Sequence, residues 1–198
     1  MPQTLKKIPV SAAILAGGKS SRMGRNKALI EIIGKPLITY VRDTLQEICE
    51  DIAIISNEPE NYNFLSLPIH RDAIESVGPL AGIYTALLHS QQEHCIIVAC
   101  DMPFIAMDLL SQMVKCIEKD KIIALRSKQG LEPLFAIYPK SALPAIKLLI
   151  EAKTYRAGLL LEKLPVVEVV TSKNLSRSLF NINTPEDLEI AKNYDRHS

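Results

Sequence analysis

Short apolar runs alternate along this chain with segments whose apolar residues recur every three or four positions. Val10-Ser11-Ala12-Ala13-Ile14-Leu15 reads as a buried strand. Leu29 to Ile33 is a short apolar stretch ended by Gly34. Pro36 then suits the first turn of a helix, with Leu37, Tyr40, Val41, Leu45 and Ile48 on its apolar face. Ile52 to Ile55 is the next strand, followed by the turn-like Ser56-Asn57-Glu58-Pro59, and Leu67 to His70 is another strand candidate. Gly78-Pro79 opens a helix whose Leu80, Ile83, Leu87 and Leu88 share a face. Cys95-Ile96-Ile97-Val98-Ala99-Cys100 is an unbroken apolar run, the pattern of a central parallel strand covered on both faces.

The second half continues the alternation. Leu109, Leu110, Met113, Val114 and Ile117 mark a helix, and Ile122 to Leu125 and Leu134 to Tyr138 read as strands around a Gln129-Gly130 turn. Leu143 to Ile150 and then Arg156 to Leu164 read as helices, and Val166 to Val170 as a strand. At Thr184-Pro185-Glu186-Asp187 a last helix begins, with Thr184 as cap, Pro185 at the first position and Asp187 three residues after the cap. Strands alternating with helices predict a three-layer α/β/α, Rossmann-like fold with a mostly parallel sheet. Ligands of such folds bind beyond the carboxyl ends of the strands.

Length changes this picture little: 198 residues suit one domain over residues 1–198. Hydrophobic residues at 47% and charged residues at 23% describe an ordinary globular chain and argue against disorder. A net charge of +1 excludes a global basic field that would attract nucleic acid. With no apolar run of membrane-spanning length and no secretory signal pattern, the cytoplasm is the expected compartment. Cys49, Cys95, Cys100 and Cys116 form no C-x-x-C pair and read as small buried hydrophobes.

The first strand empties into Gly17-Gly18-Lys19-Ser20-Ser21-Arg22-Met23-Gly24-Arg25-Asn26-Lys27. Its glycines allow close backbone approach to an anion, and Lys19, Arg22, Arg25 and Lys27 supply cations for a polyphosphate. Gly18-Lys19-Ser20 ends like a Walker A loop, but the first glycine of that pattern would fall at Ala13, inside the strand. The G-x-G-x-x-G dinucleotide fingerprint is absent, since Lys19 follows Gly17-Gly18. Asp101 follows the most hydrophobic strand, with Pro103 just beyond. A carboxylate there suits Mg²⁺ bridging phosphate oxygens; its bland alternative is the N-cap of the following helix.

Several motifs occur in order: L-A-G-G-x-S-x-R-M-G at Leu15 to Gly24, Lys27, G-P-L-A-G at Gly78 to Gly82, C-D-M-P at Cys100 to Pro103, and N-I-N-T-P-E-D-L at Asn181 to Leu188. Together they resemble the molybdenum cofactor guanylyltransferase family over nearly the whole chain. The resemblance implies a nucleotide-diphospho-sugar-transferase-like fold, with GTP and molybdenum-bound molybdopterin as substrates and Mg²⁺ as cofactor. It implies that Leu15, Ala16, Gly17 and Gly18 contact the nucleotide, that Lys27 contacts its phosphates, and that Asp101 holds the metal. Asn57 and Asp72 are nucleotide-side candidates by the same resemblance. Gly78 opens a helix whose positive end faces the nucleotide.

The implied reaction transfers GMP to the acceptor's terminal phosphate with loss of pyrophosphate, on which Lys27 and Arg22 stabilise charge. Glu132, Arg156, Asn181 and Asn183 are acceptor-side candidates. Glu132 reads equally as a solvated loop residue, and the two asparagines as local turn and helix-entry groups. Other cofactor-biosynthesis proteins or molybdoenzyme chaperones are conceivable partners. One departure stands out: Asn26 occupies the position before Lys27 where the family usually has aspartate. A CTP-using cytidylyltransferase, a sugar-phosphate nucleotidyltransferase and a non-catalytic nucleotide-binding module remain alternatives. Leu15-Ala16-Gly17-Gly18 favours the guanylyl branch by resemblance.

Overall fold

The computed structural model describes residues 7–17, 26–74, 78–127, 129–170 and 177–195. Among them a seven-stranded sheet runs in the order β5-β4-β1-β6-β8-β7-β9. The strands are β1 (Ser11–Leu15), β4 (Ile52–Ile55), β5 (Ile69–His70), β6 (His94–Ala99), β7 (Ile122–Ser127), β8 (Gly130–Pro139) and β9 (Val166–Val170). A small separate hairpin pairs β2 (Glu31–Ile32) with β3 (Lys35–Pro36). The helices are α1 (Leu37–Ile48), α2 (Pro79–His89), α3 (Met107–Lys115), α4 (Leu143–Glu151), α5 (Gly158–Lys163) and α6 (Pro185–Asp195).

Side-chain alternation along the buried strands divides the core into two layers. Ala12 and Ile14 of β1, with Ile96 and Val98 of β6, face α1 and α3 through Val41, Leu45, Leu109 and Met113. Ala13 and Leu15, with Cys95 and Ile97, face α2, α4 and α5 through Ile83, Leu87, Ile146 and Leu160. A smaller cluster of Ile30, Ile32, Leu37, Ile182, Leu188 and Ala191 brings α6 against the β2–β3 hairpin. No helix among the described residues is long and apolar enough to cross a membrane.

The sheet is mostly parallel, as expected, with one exception. β1 runs parallel to β4 and β6, while β8 lies antiparallel to both β6 and β7. β6 is therefore parallel to β1 but antiparallel to β8, a mixed setting for the strand expected to be a central parallel one. β8 meets β6 up to Phe135 opposite Val98, so its first residues, Gly130 to Pro133, project beyond the end of β6. The β7–β8 hairpin thus overhangs the carboxyl edge of the sheet. A register shift between Ala124 and Arg126 bends it there.

Two further expectations need adjustment. Pro36 is the N-cap residue of α1 and closes β3, because its extended ψ of 143° places it just outside the helix. Asp101 does not cap α3: that helix begins at Met107 with Ala106 as N-cap. At α6 the expected cap is present. Asp187 N–H donates to Thr184 Oγ1 at 3.1 Å, and Asp187 Oδ2 accepts from Asn183 and Thr184 N–H at 2.9 Å each.

Candidate active site

The carboxyl ends of β1, β4, β5 and β6 lie side by side, and the residues that follow them converge. Leu15 ends β1, and its carbonyl accepts from Cys100 N–H at 3.1 Å. Ala16 N–H donates to Ile55 O at 2.9 Å. These bonds extend the ladder one residue past the strands and fix where Ala16 and Asp101 emerge. A β-carbon at Gly17 would meet no described atom within 4 Å, so protein packing alone does not demand glycine there. Gly18 and Arg22 lie outside the described residues.

Lys27 opens a short 3-10 turn, Lys27–Leu29. Its ammonium donates to Asn183 Oδ1 at 2.6 Å and stands 3.7 Å from Asp101 Oδ2. The Lys27 and Asp101 side chains are each 19% exposed. Ile182 N–H donates to the Asp101 backbone carbonyl at 3.0 Å, which stitches the segment before α6 onto the residue after β6. Three chain regions far apart in sequence thereby place a cation, a carboxylate and an amide in one cluster. Burial raises the Asp101 carboxyl above its ordinary value, and nearby Lys27 opposes that rise. A carboxylate in this state gains from a further positive charge.

A second group lies at the ends of β4 and β5. Asn57 Nδ2 donates to Asp72 Oδ2 at 2.9 Å, and Asp72 N–H donates to Asn57 Oδ1 at 3.0 Å. Arg71 donates to the Asn57 carbonyl. Burial raises the Asp72 carboxyl, and the Asn57 hydrogen bond opposes it. A β-carbon on Gly82 would come within 3.2 Å of Leu15 Cδ2 and 3.8 Å of Asp72 Oδ1. The bare first turn of α2 is thus what lets Leu15 and Asp72 lie close against the helix.

Gly78, at φ 65° and ψ −158°, takes a backbone conformation essentially confined to glycine and turns the chain into α2. The Tyr155 carbonyl passes 3.9 Å from where its β-carbon would be, so the loop carrying Arg156 runs beside the start of α2. Arg156 itself is exposed, and Glu132 lies half-buried in the overhanging start of β8. Among the described residues neither makes a hydrogen bond or ion pair to Lys27, Asp101 or Asn183. Asn181 does not share Asn183's partner: its Oδ1 is buried without a hydrogen bond.

One residue of this region carries no motif. Tyr62 is fully buried, accepts from Asn26 Nδ2 at 2.8 Å and donates to the Ala16 carbonyl at 3.1 Å. It sits in a polar stretch, Glu60-Asn61-Tyr62-Asn63, where the lone aromatic was the one available signal.

The residues present suit a divalent cation shared with substrate phosphates rather than a metal caged by protein. Mg²⁺ is commonly held through one or two carboxylates together with substrate phosphates. Asp101 offers such a carboxylate, and the described residues contain no cluster of three or more His, Cys, Asp or Glu ligands.

The chain is similar to known proteins over most of its length. The MobA-like NTP transferase domain matches residues 12–167. A Clostridium perfringens protein named "probable molybdenum cofactor guanylyltransferase" is 38% identical over 191 residues, covering 92% of this chain and 96% of the relative. A protein of the same name from Carboxydothermus hydrogenoformans is 38% identical over 188 residues, covering 91% and 93%. The crystal structure of molybdopterin-guanine dinucleotide biosynthesis protein A from Archaeoglobus fulgidus superposes with a TM-score of 0.81 at 27% identity, covering 96% of this chain and all of that one. The chain is a nucleotidyltransferase that belongs to the MobA-like NTP transferase family, among its molybdenum cofactor guanylyltransferases.

Proposed function

We propose that this enzyme transfers GMP from GTP to the terminal phosphate of molybdenum-bound molybdopterin, giving the guanine dinucleotide cofactor and pyrophosphate, in the cytoplasm. The observation that carries the reading is the cluster of Lys27, Asp101 and Asn183 at the carboxyl edge of the sheet. The names of the relatives support the choice of substrates.

In this reading residues 1–198 act as one domain. Its first half holds the nucleotide through Leu15, Ala16, Gly17, Gly18, Asn57, Asp72 and Gly78. Lys27, together with Arg22, balances charge on the β- and γ-phosphates and on the departing pyrophosphate. Glu132, Arg156, Asn181 and Asn183 border the acceptor. Asp101 would hold Mg²⁺, which supplies charge neutralisation at the phosphate oxygens. The acceptor phosphate is already anionic, so its attack on the α-phosphorus needs no general base. Positioning and electrostatics carry the rate.

Thermal unfolding with GTP, CTP, ATP and UTP, each with and without Mg²⁺, tests this. A ligand that binds only the native state at 100 times its Kd adds about 2.7 kcal/mol of apparent stability. Selective stabilisation by GTP with Mg²⁺, followed by dinucleotide formation with the acceptor, is the expected result. Preference for CTP would move the chain to the cytidylyl branch, and binding without turnover would make it a non-catalytic module.

A further inference from the structure

Ala16 follows β1 and Asn26 precedes the turn that Lys27 opens, and both are joined to one buried phenol. The bonds run in a single direction. Tyr62 has one hydroxyl proton, and it goes to the Ala16 carbonyl at 3.1 Å. The phenol oxygen can then only accept from residue 26, and Asn26 Nδ2 donates to it at 2.8 Å. The other end of the same amide, Oδ1, accepts from Ala28 N–H at 3.1 Å and caps the turn that Lys27 opens. Residue 26 must therefore donate at one terminus and accept at the other. An ionised carboxylate of the same shape can only accept, so with the aspartate usual in the family the phenol proton would turn to residue 26 and leave the Ala16 carbonyl.

The neighbouring atoms sharpen this requirement. Tyr62 and Ala16 are buried, so the phenol and the carbonyl it serves cannot exchange partners for water without cost. Ala16 is held on its other side by Ile55 O and the Lys27 ammonium by Asn183, so the phenol joins two segments that each have one further anchor.

We propose that Asn26 and Tyr62 are positioning residues: they form a one-way hydrogen-bond clamp that sets the backbone at Ala16 against the turn carrying Lys27, at the spacing a nucleoside triphosphate requires. The inference rests on the nucleotidyltransferase reading of the Lys27–Asp101 cluster and assigns a task to residues which do not touch the phosphates. Asn26→Asp keeps the acceptor for Ala28 N–H and removes the donor to Tyr62, so the phenol proton turns to residue 26 and the Ala16 carbonyl loses its donor. With Tyr62→Phe, the ring volume stays and the relay oxygen goes.

The test measures the KM and kcat for the nucleotide, its Kd by calorimetry and the ligand-free Tm, for the parent, both single variants and the double variant. The nucleotide is whichever of GTP, CTP, ATP or UTP binds the parent most tightly. Each single variant is expected to raise KM and Kd about three- to tenfold, the size of one buried hydrogen bond, with kcat near the parent's. Because the two residues act through one link, the double variant should be no worse than the weaker single variant.

Nucleotide KM and Kd within twofold of the parent in both single variants would overturn the clamp, whatever happened to Tm. So would losses that simply add in the double variant. If a single variant does not fold, the comparison falls to the other, since each removes one end of the same link. Failure of the parent to bind any of the four nucleotides would instead overturn the functional reading, and the clamp with it. Normal parent turnover with unaffected variants would sink the clamp alone.

Discussion

Lys27 and Asp101 are close without being closely paired. At 3.7 Å the ammonium is beyond hydrogen-bond distance of the carboxylate, and its short bond goes to Asn183. Asp101 therefore keeps a carboxyl that burial holds above the 3.8 of a free aspartate. The folded state binds that proton more tightly than the unfolded one. The stability it contributes is complete below pH 3.8 and is lost as pH rises through the raised folded value. At neutral pH the ionised side chain is a net burden on the ligand-free fold. Asp101→Asn should accordingly unfold at the same or a higher temperature than the parent at pH 7, in calorimetry without nucleotide. Its turnover should fall about 10²- to 10³-fold, the usual size of a lost electrostatic contact at a transition state. A variant that was both less stable and nearly fully active would refute the assignment. Lys27→Ala should chiefly weaken triphosphate binding, and an unchanged nucleotide titration would exclude it from the phosphate role.

Among the elements, α6 illustrates how a distant helix start can serve the site. Thr184 and Asp187 exchange hydrogen bonds that begin the helix, and Asp187 also holds the Asn183 N–H. Thr184→Ala removes one cap bond and should cost about 1 kcal/mol in denaturant unfolding, with nucleotide KM unchanged. Asp187→Ala frees Asn183 as well, so it should raise nucleotide KM in addition to lowering stability. The cap was legible beforehand from Thr184-Pro185-Glu186-Asp187 alone. So were β1 and β6, whose uninterrupted apolar runs follow from burial on both faces. The direction of β8 was not, because Leu134 to Tyr138 reads alike whichever way the strand enters the sheet. The β2–β3 hairpin escaped notice because each strand is two residues long and Pro36 imitates a helix start. Motifs pointed to Lys27, Asp101 and Asn183. The bond that joins Lys27 to Asn183 spans 156 positions and has no local signature, and the Asn26–Tyr62 bond spans 36.

The whole molecule offers its own reporters of stability. Cys49 and Cys95 are buried in opposite core layers, and burial raises both thiols, that of Cys49 to about 12. Thiolate is the reactive form, so a thiol reagent at neutral pH should reach these two only when the fold opens. Their labelling should slow about 100-fold when nucleotide is present at 100 times its Kd. Labelling that ignored nucleotide would mean that these thiols open independently of the site. The reversed strand has a consequence on the same scale. A strand that travels against its neighbours must begin at the edge where theirs end, so Ser127 and Gly130 meet at the carboxyl edge of the sheet, the edge that carries Lys27 and Asp101. Lengthening or shortening the connection there would reshape that edge while leaving every rung of the ladder in place. Cargo size could thus drift through a single turn, independently of the machinery that grips the phosphates.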